Sequence, residues 1–439
     1  MQPIPTAAAA GESSGPRQQL ERQQLTRLRA LLAAVAADNP FYRAKLGGTS
    51  VGSMDDYSRL PFTTKLELSD DQDQHPPYGT NLTCGPEQFI RVHQTSGTTG
   101  KRLRWLDTEE SWQWWGRCWR AVYEGAGVTA ADRLFFAFSF GPFIGFWSAH
   151  EGARHLGALA FPGGGMSSQQ RVEAILANDV TVLVCTPTYA LHLAEVAEAM
   201  GADIAGSAVR ATIHAGEPGA SIPATKRRLE QAWGARCFDH AGATEVGAWG
   251  YECQARNGLH LNEEEFIFEV VDPDSREPAA EGELAVTNLG RLGMPVIRYL
   301  TGDRVHITYD PCRCGRTSAR LIGGVIGRID DALIVRGVTF FPSAIENIVR
   351  RYPEVAEFAV DVHRRESMDE LRIRLELAGA GAPAGRRPAA DLVEAVSGEV
   401  RNSLGLRPRV ELADNLPRYE LKAQRFTDHR TRSCHRTRS

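Results

Sequence analysis

Lysine is almost missing from this 439-residue sequence: of its 50 basic residues five are lysine, at positions 45, 65, 101, 226 and 422, and the other 45 are arginine. Chemistry that needs a compact, mobile ammonium therefore has few candidates to draw on. A basic excess is missing too. The net charge of -4, with 24% charged residues, excludes the electrostatic footprint of a nucleic-acid binder. No run approaches the roughly eighteen uninterrupted apolar residues of a membrane span, so no membrane role is expected. The first sixteen residues, MQPIPTAAAAGESSGP, lack a basic stretch and offer only a four-alanine apolar run. A secretory leader needs both, so a cytoplasmic location is expected. Eight cysteines without an export signal point to thiols or metal ligands over a disulfide framework. A Walker loop is absent as well: in TSGTTGK (95–101) only Thr98 and Thr99 separate Gly97 from Gly100, where a P-loop places four residues.

What is present is an ordinary globular composition, 42% hydrophobic, in a chain long enough for two or three domains of about 150 residues each. After a tail over 1–16, RQQLERQQLTRLRALLAAVAADNPFYRAKL sets Leu25, Leu28, Leu31, Leu32 and Val35 at helical spacing, and DNP ends the helix. Between about 85 and 330, strand-like runs such as TVLVCTP and RATIHAG alternate with helical ones such as SSQQRVEAILAN and PATKRRLEQAWG. That alternation predicts an α/β body over 17–329 with parallel-sheet layers. Beyond 330, the hairpin-like AEFAVDVHRRESMDELRIRLELAG and the helix DLVEAVSGEVRNSLG predict a small α+β domain over 330–428. The basic repeat of 429–439 has no apolar face and reads as a disordered tail.

Two constellations stand out. Cys253 and His260 in CQARNGLH, with Cys312 and Cys314 in PCRCG, supply three thiolates and an imidazole, a closed tetrahedral set suited to structural zinc. The alternative is four unmetallated side chains, since the spacing is not that of a zinc finger. In FSFGPFIGFWSAHEG (138–152), Phe140, Phe143, Phe146 and Trp147 alternate with glycines that would leave a flat slot, suited to an aryl group. Aromatics at this density also build cores.

Five stretches, in order, carry more information together than singly: TSGTTGK (95–101), FDHAGATEVG (238–247), RYLTGDR (298–304), GRIDDALIVRGVTFFPSAIE (327–346) and LPRYELKAQR (416–425). The series resembles the adenylate-forming superfamily, and its phenylacetate-CoA ligase branch in particular, as do NPFYRAKL and LPFTTKLELSD near the start. The resemblance covers nearly all of residues 20–428. It implies an AMP-binding body, a small mobile C-terminal domain, and activation of an aryl or small acyl carboxylic acid by ATP and Mg²⁺. The acyl-adenylate so formed is then attacked by the thiol of coenzyme A.

The resemblance assigns residues as well. Thr95, Ser96, Gly97, Thr98, Thr99, Gly100 and Lys101 would cradle the triphosphate, as backbone nests do, with the lysine neutralising the leaving pyrophosphate. Thr244 would contact the α-phosphate and Glu245 would hold Mg²⁺. Asp303 would grip the ribose hydroxyls with Arg328 beside it, and Glu217, Asp239 and His240 would surround the adenine. Lys422 would bridge carboxylate and α-phosphate as negative charge moves between them. Asp330 would be the hinge. A zinc-binding insertion is likewise implied, on Cys253, His260, Cys312 and Cys314.

Two departures are visible. Ala241 stands where the family pattern D-x-Y-G has an aromatic adenine platform, leaving either His240 or Phe238 to replace it or an active site wider than usual, and Leu421 replaces the glycine before the lysine. Other readings stay open at this stage: transfer to a carrier-protein thiol, an amine or another acceptor; a non-catalytic nucleotide-binding paralogue; and a homodimer.

Overall fold

The computed structural model describes residues 16–95, 102–138, 140–365, 368–378, 387–418 and 424–430. Helix α1 (Pro16–Asp38) buries Leu28, Leu31, Leu32 and Val35 along one stripe, and each such aliphatic contributes about 1.5–3 kcal/mol when removed from water. DNP ends it as read from the sequence. Asn39 caps α2 (Pro40–Leu46), its side chain accepting the Tyr42 amide at 3.0 Å, with Pro40 at the first helical position. Capping boxes on Ser53 and Thr64 start α3 (Met54–Tyr57) and α4 (Lys65–Gln74). An antiparallel hairpin follows, β1 (Phe89–Gln94) with β2 (Arg104–Thr108). Helix α5 (Glu109–Gly125) then buries four tryptophans, at 112, 114, 115 and 119.

From there strands and helices alternate: β3 (Arg133–Phe136), α6 (Ile144–Leu156), β4 (Leu159–Pro162), α7 (Ser168–Ala177), β5 (Val182–Cys185), α8 (Pro187–Ala199), β6 (Ala211–His214), α9 (Pro223–Trp233) and β7 (Arg236–Ala243). The strands pair in parallel. Every residue of β5 and β6 is buried, as a sheet covered by helices on both faces requires.

The sequence reading carried this alternation to residue 330, but it stops at Trp233. The next five strands after β8 (Gly247–Glu252) are β9 (Leu259–Leu261), β10 (Phe266–Val271), β11 (Glu281–Asn288), β12 (Tyr299–Thr308) and β13 (Arg320–Arg328), and all their pairings are antiparallel. The connections between them are shorter than the dozen or so residues a parallel crossover needs. Both halves form one eleven-stranded sheet in the order β10-β11-β12-β13-β9-β8-β7-β6-β5-β3-β4. Strand β7 joins them, parallel to β6 and antiparallel to β8.

A turn over Ile329–Asp331 leads into a second module of β14 (Leu333–Val335), β15 (Val338–Phe340), α10 (Pro342–Val349), β16 (Val355–Arg365), β17 (Met368–Leu377), α11 (Ala389–Leu404), β18 (Arg409–Leu412) and β19 (Phe426–Asp428). The expected hairpin and helix are both there. Their own core includes Val360, Ile373, Leu375, Leu392 and Val396. The module runs two residues past its expected end: His429 bonds Asp361 at 2.9 Å and Arg430 bonds Asp369 at 2.7 Å. Among the described residues no helix is long and apolar enough to cross a membrane.

Candidate active site

The glycine- and threonine-rich loop joins β1 to β2. Its base is closed by Thr95, whose amide donates to Leu103 O at 3.0 Å and whose hydroxyl accepts the Leu103 amide at 3.0 Å. The neighbouring Gln94 amide donates to Pro142 O at 2.8 Å, tying this base to the aromatic segment. Ser96, Gly97, Thr98, Thr99, Gly100 and Lys101 lie outside the described residues, as do Leu421 and Lys422. On either side of the latter pair, Arg418 pairs with Glu376 at 2.8 Å and reaches Glu195 on α8 at 3.5 Å, while Arg425 donates to Thr188 on α8 at 3.3 Å.

Thr244 and Glu245 form the turn between β7 and β8. A group that sequence reasoning missed builds it. Arg291 donates to Thr244 O at 2.7 Å and to Glu245 O at 3.4 Å, and pairs in a fork with Asp107 at 2.9 and 2.7 Å. Both side chains are fully shielded from solvent, and the guanidinium lies between Trp105 and Trp115, 5.2 and 5.5 Å from their rings. Arg291 gives no signal in a sequence with 45 arginines; only the fold pairs it with an aspartate 184 positions away. Tyr299, equally unflagged and buried, donates its hydroxyl to Glu245 at 3.1 Å and orients that carboxylate.

The strand register of β12 and β13 sets Asp303 opposite Arg328. Arg328 reaches Asp303 at 3.4 Å, Thr301 O at 3.1 Å and Asp330 at 3.0 Å. A side chain on Gly302, which has φ +77°, would sit 2.7 Å from the Arg328 guanidinium. Burial pushes the Asp303 carboxyl up to about 6 against the pull of Arg328, and the nearby Glu245 charge pushes the same way.

On β7, the Asp239 carboxyl is raised to about 7 by burial and by Glu252. Lys226 holds Glu252 at 2.5 Å. Glu217 follows β6 and accepts the Thr188 amide at 2.9 Å. His240 donates from Nδ1 to Gly250 O at 2.7 Å and packs on Trp119 with centroids 4.3 Å apart, and burial lowers its pKa to about 4. Phe238 is 1% exposed and belongs to the main core. Neither ring is therefore free to act as the platform that Ala241 lacks without leaving its present partners.

The aromatic segment forms a contiguous patch. Phe140 meets Trp147 edge-on at 4.7 Å, Phe138 stacks on Phe146, and the Trp147 indole donates to Gly141 O at 3.0 Å. Phe143 is half-buried at the start of α6, while Trp147 remains open to solvent.

Cys253, just past β8, His260 on β9, and Cys312 and Cys314 in the β12–β13 connection come together, with all four ligand atoms within 4.8 Å of one another. Zn–S bonds of about 2.3 Å and Zn–N bonds of about 2.0–2.1 Å imply tetrahedral edges of about 3.8 Å (S···S) and about 3.5 Å (S···N). Here the Cys253–Cys312 and Cys314–His260 separations are 3.7 and 3.4 Å. The other His260 nitrogen bonds Ser318 at 2.8 Å, which leaves Nε2 facing the sulfurs. A second group, Asp361, His363 and His429, is as compact. Its imidazoles stack in parallel at 4.3 Å and Arg374 holds Asp361, so it reads as an ion-pair network.

A family profile, AMP-binding enzyme C-terminal domain, matches residues 337–430. The chain is 33% identical over 374 residues to a phenylacetate-coenzyme A ligase of Thermus thermophilus, covering 82% of each chain. It is 29% identical to that of Escherichia coli over 93% of this chain and 95% of the relative. A crystal structure of 2-hydroxyisobutyryl-CoA ligase in its postadenylation state, 28% identical, superposes with a TM-score of 0.89 over 97% of this chain and 94% of the other. The same ligase in its thioesterification state, with coenzyme A, superposes with a TM-score of only 0.70 over 94% and 91%. The two modules of this chain are thus disposed as in the former state. By its sequence relatives and by the fold built around the Thr244–Glu245 turn, the chain belongs to the phenylacetate-CoA ligase branch of the adenylate-forming enzymes.

Proposed function

We propose that this protein activates an acyl or aryl carboxylic acid with ATP and passes the acyl group to coenzyme A, as an AMP-forming acid–CoA ligase. A carboxylate oxygen attacks the α-phosphorus and pyrophosphate leaves; the thiol of coenzyme A then attacks the acyl carbon and AMP leaves. The observation that carries the residue assignments is the convergence of Asp303, paired with Arg328 at 3.4 Å, and of Glu245, held by Tyr299 at 3.1 Å and near enough to act on the charge of both.

Asp303, ionised above about pH 6, takes the ribose hydroxyls, and Arg328 holds it in place. Glu217 and Asp239 line the adenine end. The Thr244 hydroxyl faces the α-phosphate, on a turn fixed by Arg291. Glu245, oriented by Tyr299, is the carboxylate suited to Mg²⁺, which when bound neutralises charge on the phosphoryl oxygens. Lys101 neutralises the leaving pyrophosphate, and Lys422 follows the charge from carboxylate to α-phosphate. The patch of Phe140, Phe143 and Trp147 favours an aryl acid. Cys253, His260, Cys312 and Cys314 fit structural zinc in ligand type and spacing, and that ion would add directly to folding stability.

The test is ATP–pyrophosphate exchange across a panel of aryl and short acyl carboxylates. Exchange should depend on the acid, and Lys422→Ala should lower it roughly a hundred- to a thousand-fold, the usual cost of one such contact. Undiminished exchange in Lys422→Ala would remove that residue from the mechanism.

A further inference from the structure

Helices α9 of the body and α10 of the C-terminal module each lack something at one end, and each receives it from the other. Helix α9 begins after Ile222, which offers no side-chain cap. Its first residue is a proline with no amide to satisfy. The first free amide, on Ala224, donates to the Asn347 side chain at 3.4 Å, and the Thr225 hydroxyl donates to Glu346 at 3.1 Å. Asn347 and Glu346 belong to α10. That helix ends at Arg350 with backbone carbonyls left over, as every helix does. Arg228, one turn into α9, donates to Arg350 O at that end at 3.0 Å, and also to Tyr352 O and, at 2.8 Å, to Val355 O in the turn that leads from α10 into β16. A cation at a helix C-terminus also meets the negative end of the helix dipole.

This exchange crosses the boundary that separates the two TM-scores, since α9 and α10 lie in different modules. We propose that the reciprocal capping of α9 and α10, centred on Arg228, is a latch that holds the chain in the arrangement of the postadenylation state and opens before thioester formation. The proposal rests on the ligase reading above. Its strength suits a contact remade in every turnover: both helix ends regain water when they part, so the net preference is far smaller than the number of bonds suggests. Arg425, which reaches Thr188 from beside the candidate catalytic lysine, lies in the same interface and gains from the same closure.

The test compares the two half-reactions. Arg228→Ala should lower pyrophosphate exchange about tenfold relative to thioester formation from supplied phenylacetyl-adenylate, the scale of one charge-assisted contact. Arg228→Lys should fall between it and wild type. Thr225→Val removes a different bond of the same interface and should shift the ratio in the same direction. A second readout needs no catalysis: amide hydrogen exchange over residues 224–226 should accelerate in Arg228→Ala while β5 and β6 stay protected. Equal loss of both half-reactions, or an unchanged ratio with unchanged exchange at 224–226, overturns the latch. Wild-type protein that exchanges pyrophosphate with no acid counts against the ligase reading instead, and the hydrogen-exchange arm still decides the latch.

Discussion

Removing Arg291 separates two roles of one residue, charge neutralisation in the core and construction of the Thr244–Glu245 turn. Arg291 and Asp107 are fully buried and doubly bonded. Deleting one partner of such a pair strands the other charge, at about 3–5 kcal/mol. For a body of this size, about 2 °C per kcal/mol places Arg291→Leu and Asp107→Leu each about 6–10 °C below wild type in calorimetry. The double variant Asp107→Leu/Arg291→Leu buries no charge at all, so most of that loss should return. Activity should not return with it. The carbonyls of Thr244 and Glu245 still lack their donor, and pyrophosphate exchange should stay at least about tenfold down, since a bond to a charged donor is worth about 1.5–3 kcal/mol. Single variants that melt within a degree or so of wild type, or a double variant that recovers both stability and exchange, would refute the argument.

Replacing Cys312 and Cys314 with serine should abolish copurifying zinc, about one ion per closed site, and lower the melting temperature; metal analysis that finds none in chelator-free wild-type protein rules the site out. Asp303→Asn should raise the KM for ATP while stabilising the fold at neutral pH. Because burial lifts this carboxyl from 3.8 to about 6, the folded state holds its proton longer than the unfolded state does, and wild-type stability falls as pH rises through that window. The advantage of the asparagine should therefore open between about pH 4 and 6, and an advantage that grows in acid contradicts the sign. Asp330→Pro fixes φ at the module boundary; adenylation should survive within about tenfold while thioester formation collapses, and equal loss of both rates in folded protein argues against a hinge there.

Motifs built from contiguous residues were legible in the sequence because local chemistry fixes them. The helix stop at DNP, the hairpin of β16 and β17 and the helices α7 and α9 follow from residues a few positions apart, whereas the Cys/His set was legible by residue type, its members lying up to about sixty positions apart. The antiparallel half of the sheet was misread as continuing the helix-strand alternation, since strands such as β8, β9 and β11 are buried almost throughout, as β5 and β6 are, and differ from them in their partners and hardly in their letters. Asp107, Arg291 and Tyr299 were invisible for a related reason. Their importance lies in a pairing across the fold, and an arginine in so arginine-rich a chain carries no mark of being fully buried.

Strand β7 has a parallel neighbour on one side and an antiparallel one on the other, which has a consequence for how the enzyme comes into being. The β8–β9 hairpin and the series β10 to β13 form through short connections and can pair early, although β13 must also reach back to β9, whereas β3 to β6 must first close longer, helix-containing loops. The Thr244–Glu245 turn hangs from β7 and is anchored by Arg291 in the later half and Asp107 in the earlier one. During synthesis, a nascent chain that has folded only its first half holds no finished Thr244–Glu245 turn. That turn should therefore be completed late, once the antiparallel strands that follow it have emerged and Arg291 has docked on Asp107.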